Sequence, residues 1–162
     1  MVFNLALHYV QNQEDAQEIT QDVFVAIHQS LGEFKGNSKI STWIYRITIH
    51  KSLDFIKSKQ SKKRFAFLTS IFKNDSNEIL HDKPSFNHPG VLMEQKEAIE
   101  KIFLAINQLP ENQKTAIILS KIENKSQNEI AEIMNLSTKA IESLISRGKE
   151  NLSKKLMRYP KD

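Results

Sequence analysis

Apolar side chains recur at helical spacing along almost the whole chain, and strand-like alternation is scarce. That period predicts an all-α protein. Asn12 is placed to cap a helix over about residues 13–31, with Ala16, Ile19, Val23, Phe24, Ile27 and Leu31 on its apolar arc. The opposite arc carries Asp15, Glu18, Gln21, Asp22 and Gln29, with Val25 set among them. An acidic stripe of this kind is either a solvated face or a docking face for a basic partner. Gly36, Asn37 and Ser38 mark a loop, after which Ser41 or Thr42 is placed to cap a helix over about 43–59. Trp43, Ile44, Ile47, Phe55 and Ile56 make that helix apolar over much of its circumference, so it should be largely buried. Arg46, His50 and Lys57 share one stripe of it, Lys51 lies off the stripe, and residues 57–64 end the block in concentrated positive charge.

Residues 73–90 hold Asn, Ser and Asp with Pro84 and Pro89 and keep no period, which predicts a linker. Phe65, Phe67, Leu68, Ile71 and Phe72 precede it, so its first part should pack on something. Helical spacing resumes over 91–108 and again over 110–122, with Pro110 suited to a first turn. Ser126 followed by Glu129 is a capping box, in which each side chain satisfies the other's free backbone N–H. The helix it opens runs to Met134, Asn135-Leu136 breaks it, and Ser137 can cap a second helix through Leu152 or beyond. A short helix, a tight turn and a longer helix with a polar outer face form the layout of a helix-turn-helix, whose second helix enters the DNA major groove. On that second helix Ala140, Ile141, Leu144, Ile145, Gly148, Leu152 and Leu156 share one arc. Lys139, Glu142, Ser143, Ser146, Glu150 and Lys154 share the other, with Arg147 at its border. Short hydroxyls among long charged side chains suit base edges and phosphates; an ordinary solvated face is the alternative.

Charge sharpens this picture. The net +4 hides four blocks. Residues 1–34 carry five acids and no Lys or Arg, whereas 35–64 carry nine basic residues and one acid. Residues 65–138 carry seven basic and ten acidic residues, and 139–162 carry seven and three. Two basic blocks separated by acidic ones predict two polyanion contacts and at least one contact of another kind. The 162 residues allow one ordinary domain or two small ones. Cysteine is absent, which rules out disulfides, a thiolate nucleophile and a zinc finger, and fits a reducing cytoplasm. No apolar run approaches membrane-spanning length, and the start lacks a signal-like segment.

Three stretches together resemble the sigma-70 family of bacterial RNA polymerase sigma factors, in its extracytoplasmic-function group. They are residues 14–24, from Glu14-Asp15-Ala16 to Asp22-Val23-Phe24; Phe34-Lys35-Gly36 through Thr42-Trp43-Ile44-Tyr45-Arg46, followed by Leu53-Asp54; and Leu109-Pro110-Glu111 through the helix-turn-helix to Ser146-Arg147-Gly148-Lys149. The resemblance implies two small helical domains joined by a flexible linker. Residues 1–64 correspond to region 2, 65–91 to the linker and 92–162 to region 4. Asp15, Glu18, Gln21, Asp22 and Val25 would face the β′ clamp helices of core RNA polymerase. Phe34, Lys35, Ser38, Lys39, Ser41, Thr42, Trp43, Tyr45, Arg46, His50 and Lys51 would recognise and open the −10 promoter element, unstacked bases being held by aromatic faces and cations. For Trp43 a role as core anchor is favoured over base contact. Thr138, Lys139, Glu142, Ser143, Ser146 and Arg147 would read the −35 element. The further partners implied are the β flap of polymerase, promoter DNA and an anti-sigma factor; cofactors, metals and a small-molecule substrate are not implied.

Departures from the family pattern are informative. His50 stands where Asn is usual. Gly148 replaces the usual Ala, at a cost of about 1 kcal/mol of helix propensity, and is expected to loosen the helix end. Residues 1–7 match the later part of the family's first helical hairpin, so most of a leading helix is expected to be missing, through a late start codon or trimming, leaving a less stable first lobe. The main rival is a stand-alone helix-turn-helix regulator, which needs a dimer interface to pair half-sites; neither heptads nor an obvious apolar dimer face is evident. Catalysis is disfavoured because His8, His28, His50, His81 and His88 show no metal-ligand spacing and no phosphate-cradling glycine loop exists. Membrane-surface binding is disfavoured because no basic helix leaves a bulky apolar face uncovered.

Overall fold

A computed structural model of the chain describes residues 1–73 and 93–158, with the side chains of 1–66 and 97–158. Seven α-helices follow one another: α1 (Val2–Val10), α2 (Gln13–Ser30), α3 (Ile40–Lys73), α4 (Met93–Asn107), α5 (Glu111–Ile117), α6 (Gln127–Met134) and α7 (Thr138–Leu156). No strand occurs among the described residues. The first lobe forms where α1, α2 and α3 lie against one another. Val2, Ala6, Ala16, Ile19 and Val23 fill its centre, and Phe3, Leu7, Ile27, Ile44, Ile47 and Phe55 pack around them. In the second lobe α7 lies against α4, α5 and α6. The two lobes share a single apolar cluster, in which Leu5, Tyr9, Tyr45 and Ile49 of the first meet Ile106, Leu109, Ile117 and Ile130 of the second.

Local signals position most helix ends. Asn12 caps α2 by accepting from the Asp15 N–H at 2.9 Å. Gln11 ends α1 in the left-handed region, φ 54°, and its N–H donates to the Leu7 carbonyl. Other expectations need correction. The third helix begins at Ile40, so Ser41 and Thr42 sit in its first turn and do not cap it. It also continues to Lys73, through residues assigned to the linker, and Phe65 is 70% exposed on it. Most of the predicted linker, with its other aromatic residues, lies outside the described side chains. Phe24 and Leu31 are 58% and 52% exposed, not core. The core of α3 is less greasy than predicted. Thr48 and Ser52 are its fully buried positions, with hydroxyls satisfied by the Ile44 and Thr48 carbonyls at 2.8 and 2.7 Å. Trp43 is only half-buried and belongs to neither core cluster, so it is not a core anchor.

The glycine in α7 has a packing role. A Cβ built at Gly148 would lie 2.8 Å from Ile117 Cγ1 and 3.1 Å from its Cδ1. Gly148 is buried, and α7 runs on unbroken for two more turns. The glycine therefore lets α5 approach α7 and does not loosen the helix end. Gly148→Ala gains about 1 kcal/mol of helix propensity, but β-branched Ile117 is stiff and overpacking costs roughly 1–3 kcal/mol. We expect a net loss of ~1 kcal/mol, read as a lower urea midpoint with an unchanged slope; a raised midpoint would contradict it.

Candidate nucleic-acid interface

In the second lobe, capping builds the helix-turn-helix. Ser126 Oγ accepts from the Glu129 N–H at 3.3 Å while Glu129 Oε2 accepts from the Ser126 N–H at 2.8 Å, which is the full capping box. Asn135 terminates α6 with φ 53°, and Ser137 Oγ accepts from the Ala140 N–H at 3.2 Å to start α7. Three residues of turn thus fix the angle between α6 and α7. Ile130, Ile133, Ile141 and Ile145 bury the inner faces. Thr138, Lys139, Glu142, Ser146 and Arg147 are exposed and Ser143 half-exposed, so all six predicted reading residues share one open face.

The acidic face of α2 is also open. Glu18, Gln21, Asp22 and Val25 are exposed, and Val25 at 55% is an apolar side chain inside the charged stripe. Asp15 differs from them, because it turns toward α3 and accepts from Lys59 Nζ at 2.7 Å.

The eleven residues expected at the −10 element divide into two environments. Phe34, Lys35, Ser38, Lys39, Ser41, Trp43, His50 and Lys51 are exposed or half-exposed. Phe34 and Trp43 lie with ring centroids 5.0 Å apart, tilted at 39°. An aromatic pair in a cationic setting offers a face for an unstacked base. Thr42, Tyr45 and Arg46 instead meet the second lobe. Thr42 and Tyr45 are buried, and Lys39, Ser41, Thr42 and Tyr45 share a crevice with Lys125, Asn128, Glu129, Glu132 and Ile133. The Arg46 guanidinium donates to the carbonyls of Glu132 at 2.6 Å and Ile133 at 3.2 Å. Those carbonyls belong to the last turn of α6, where helix geometry leaves acceptors free and partial negative charge accumulates.

Glu123 is the node of this seam, and the sequence did not single it out. A π-helical turn over Ile118–Ile122 widens the end of α5, with the Glu123 N–H donating to the Ile118 carbonyl at 3.0 Å. The predicted plain helix over 110–122 concealed that turn, which carries Glu123 to the first lobe. Its Oε2 accepts from the Tyr45 hydroxyl at 2.9 Å, and its Oε1 lies 3.0 Å from His8 Nδ1, off the line of a good hydrogen bond. His8 is the main reason the Glu123 carboxyl titrates below the usual range; burial opposes it and Tyr45 adds to it. Burial first, then the bond to Glu123, raises the Tyr45 phenol well above its ordinary value. Nearby, the Tyr9 hydroxyl donates to Thr115 Oγ1 at 2.9 Å, and Lys114 Nζ donates to the Tyr9 carbonyl at 3.3 Å. No group of three or more acidic or histidine side chains suited to a metal ion occurs among the described residues.

The family model "Sigma-70 region 2" matches residues 1–62, and "Sigma-70, region 4" matches residues 99–152. The RNA polymerase sigma-H factor of Pseudomonas aeruginosa is 27% identical over 159 residues, spanning 96% of this chain and 80% of that protein. The ECF RNA polymerase sigma factor SigW of Bacillus subtilis is 28% identical over 159 residues, spanning 96% and 82%. Two solved structures share the fold. One is the sigma factor RpoE bound to the anti-sigma factor NepR from Bartonella quintana, with a TM-score of 0.65 and 18% identity over 98% of this chain and 91% of that one. The other is CnrH bound to the cytosolic domain of CnrY, with a TM-score of 0.66 and 21% identity over 98% and 82%. With both regions matched in order and relatives aligned over nearly its whole length, the chain belongs to the sigma-70 family of RNA polymerase sigma factors, in the extracytoplasmic-function group.

Proposed function

We propose that this chain joins core RNA polymerase and directs it to promoters, with residues 1–64 and 92–162 acting as two gripping units and 65–91 as their connector. It works where polymerase works, in the cytoplasm, and no described helix is long and apolar enough to cross a membrane. The observation that carries the proposal is the pairing of two open faces of different chemistry. One is the acidic, Val25-centred face of α2, suited to a basic protein surface. The other is the hydroxyl-and-cation face of α7, suited to a major groove. A stand-alone regulator has use for the second face and none for the first.

Glu18, Gln21, Asp22 and Val25 are assigned to the β′ clamp helices, and Asp15 joins them only after leaving Lys59. Lys35, Lys39, Lys51 and the Phe34–Trp43 pair are assigned to the −10 element, and the α7 face to the −35 element. Thr42, Tyr45 and Arg46 reach DNA only when the lobes part, because the second lobe covers them. Parting is also what gripping two separated promoter elements demands. An anti-sigma factor is the partner assigned to control this step, by analogy with the bound states of the two solved relatives. The contact with the β flap is assigned to the second lobe.

Run-off transcription from genomic fragments, with core enzyme plus or minus this chain, tests the proposal. Initiation at defined start points should need both. Asp22→Lys reverses one rim charge and should weaken core binding about fivefold with unchanged helical content. Core-independent binding to promoter DNA at full strength, together with unaltered core affinity in Asp22→Lys, would favour the stand-alone regulator.

A further inference from the structure

Lys114 is a cation in an unusual place. It is 5% exposed, at the joint between α5 and the end of α1. Among the described residues its amine has one long hydrogen bond, to the Tyr9 carbonyl at 3.3 Å, and it stands 5.0 Å from the centre of the Tyr9 ring. Among the described residues no carboxylate lies within ion-pair distance of it. An ammonium buried with so few partners is costly unless a counter-charge is supplied. Beside it lies a cavity of about 300 Å³, open on one side and lined by residues of both lobes. Among the described residues, Lys59 and Lys63 of α3 and Lys114 of α5 line it against a single acid, Asp15, and Phe55 and Tyr9 supply apolar wall. Three amines against one carboxylate leave an excess of two positive charges among these described lining residues.

We propose that this seam cavity binds a small phosphate-bearing solute, with Lys114 and Lys63 holding the phosphate and Phe55 flanking the remainder. A phosphomonoester carries about −1.5 to −2 charge at neutral pH, which matches the excess. Its acceptor oxygens supply the partners that the buried amine lacks. A recessed amine is out of reach for the backbone of a DNA duplex, which favours a small solute over promoter phosphate. The site exists only while α3 and α5 are together, so an occupant favours the closed arrangement; this consequence rests on the proposal that the lobes part to engage DNA. At ten times its dissociation constant such a ligand shifts that balance about elevenfold.

Calorimetry on the full chain provides the test, with AMP and inorganic phosphate as probes, adenosine and a short DNA duplex as controls, and ionic strength held with chloride. AMP should bind saturably, phosphate more weakly, and adenosine and the duplex not at this site. Burial lowers the Lys114 pKa to about 8, opposed by the charge of Glu111, which is itself paired with Lys57 at 3.1 Å. Binding near that pH should therefore recharge the amine and take up about half a proton, visible as a dependence of the heat on the buffer's own ionisation enthalpy. Lys114→Met should abolish both binding and proton uptake. Exposed Lys63→Ala, which leaves the core untouched, should weaken binding about tenfold. Loss of AMP binding in Lys63→Ala supports the site even if Lys114→Met does not fold. No saturable AMP binding, equal binding by both variants, or Lys114-dependent binding of the duplex in place of AMP would each overturn the proposal. Because binding is read on the free chain, its failure leaves the promoter reading standing, and failure of run-off transcription leaves the site standing.

Discussion

Glu123→Ala should move the balance between closed and parted lobes about thirtyfold toward the parted form, while promoter-directed transcription survives. Glu123 accepts from Tyr45, sits beside His8, and lies near Lys125, whose amine stands 4.9 Å over the Tyr45 ring. Truncation leaves the buried Tyr45 hydroxyl without its acceptor and unpairs His8, a penalty of roughly 2 kcal/mol. Glu123 is itself assigned neither to DNA nor to polymerase, and its partner Tyr45 is assigned to DNA only after the lobes part, so the cost falls on the closed arrangement. Small-angle scattering should show a larger radius of gyration, and run-off transcripts should match or exceed those of the parent. The pH dependence has a definite sign. The folded-state pKa of Glu123 is depressed from its ordinary 4.5. Its contribution is therefore complete above that value and fades as pH falls through the depressed one. Parent and variant should differ at neutral pH and converge in acid. An equally compact variant would refute the node.

Much of this was legible beforehand because it is local. A capping box, an Asn cap and a left-handed Asn at a helix end are satisfied within four residues, so Asn12, Ser126, Asn135 and Ser137 announce themselves. The acidic arc of α2 and the polar arc of α7 follow from a 3.6-residue period that the structure keeps. The misses involve partners far along the chain. Phe24 reads as core by period, but no element among the described residues covers that edge of α2. Gly148 reads as a weak point until Ile117, thirty-one positions earlier, is placed against it. Tyr45 and Arg46 read as open contacts, yet their partners Glu123 and Glu132 are 78 and 86 residues away. Nothing in the spacing of His8, Lys114 or Glu123 betrays that they meet at one seam. Charge blocks are visible in sequence; which charges end up buried without a counter-ion is not.

Arg46→Ala is expected to behave in the opposite way to Glu123→Ala, and the contrast separates closing from DNA contact. In the closed arrangement Arg46 caps the α6 carbonyls of Glu132 and Ile133. The bond to the Glu132 carbonyl is exposed and that to Ile133 only partly buried, so water replaces much of what the guanidinium gave, and the lobes loosen only modestly. On an opened promoter the same guanidinium is assigned to the −10 strand, where a well-placed Arg contributes roughly 1–3 kcal/mol, a ten- to hundredfold effect. Run-off transcription from a duplex promoter should fall by about that factor, even though parting is easier. On a template whose −10 segment is mismatched and already open, the defect should shrink, because stacking and strand capture no longer need to drive separation. Arg46→Lys keeps the charge but loses the planar fork, so it should recover part of the loss on both templates. A merely structural Arg46 predicts equal losses on duplex and pre-opened DNA. Full activity of Arg46→Ala on the duplex would remove Arg46 from the promoter contact and leave it only as the tie between α3 and α6.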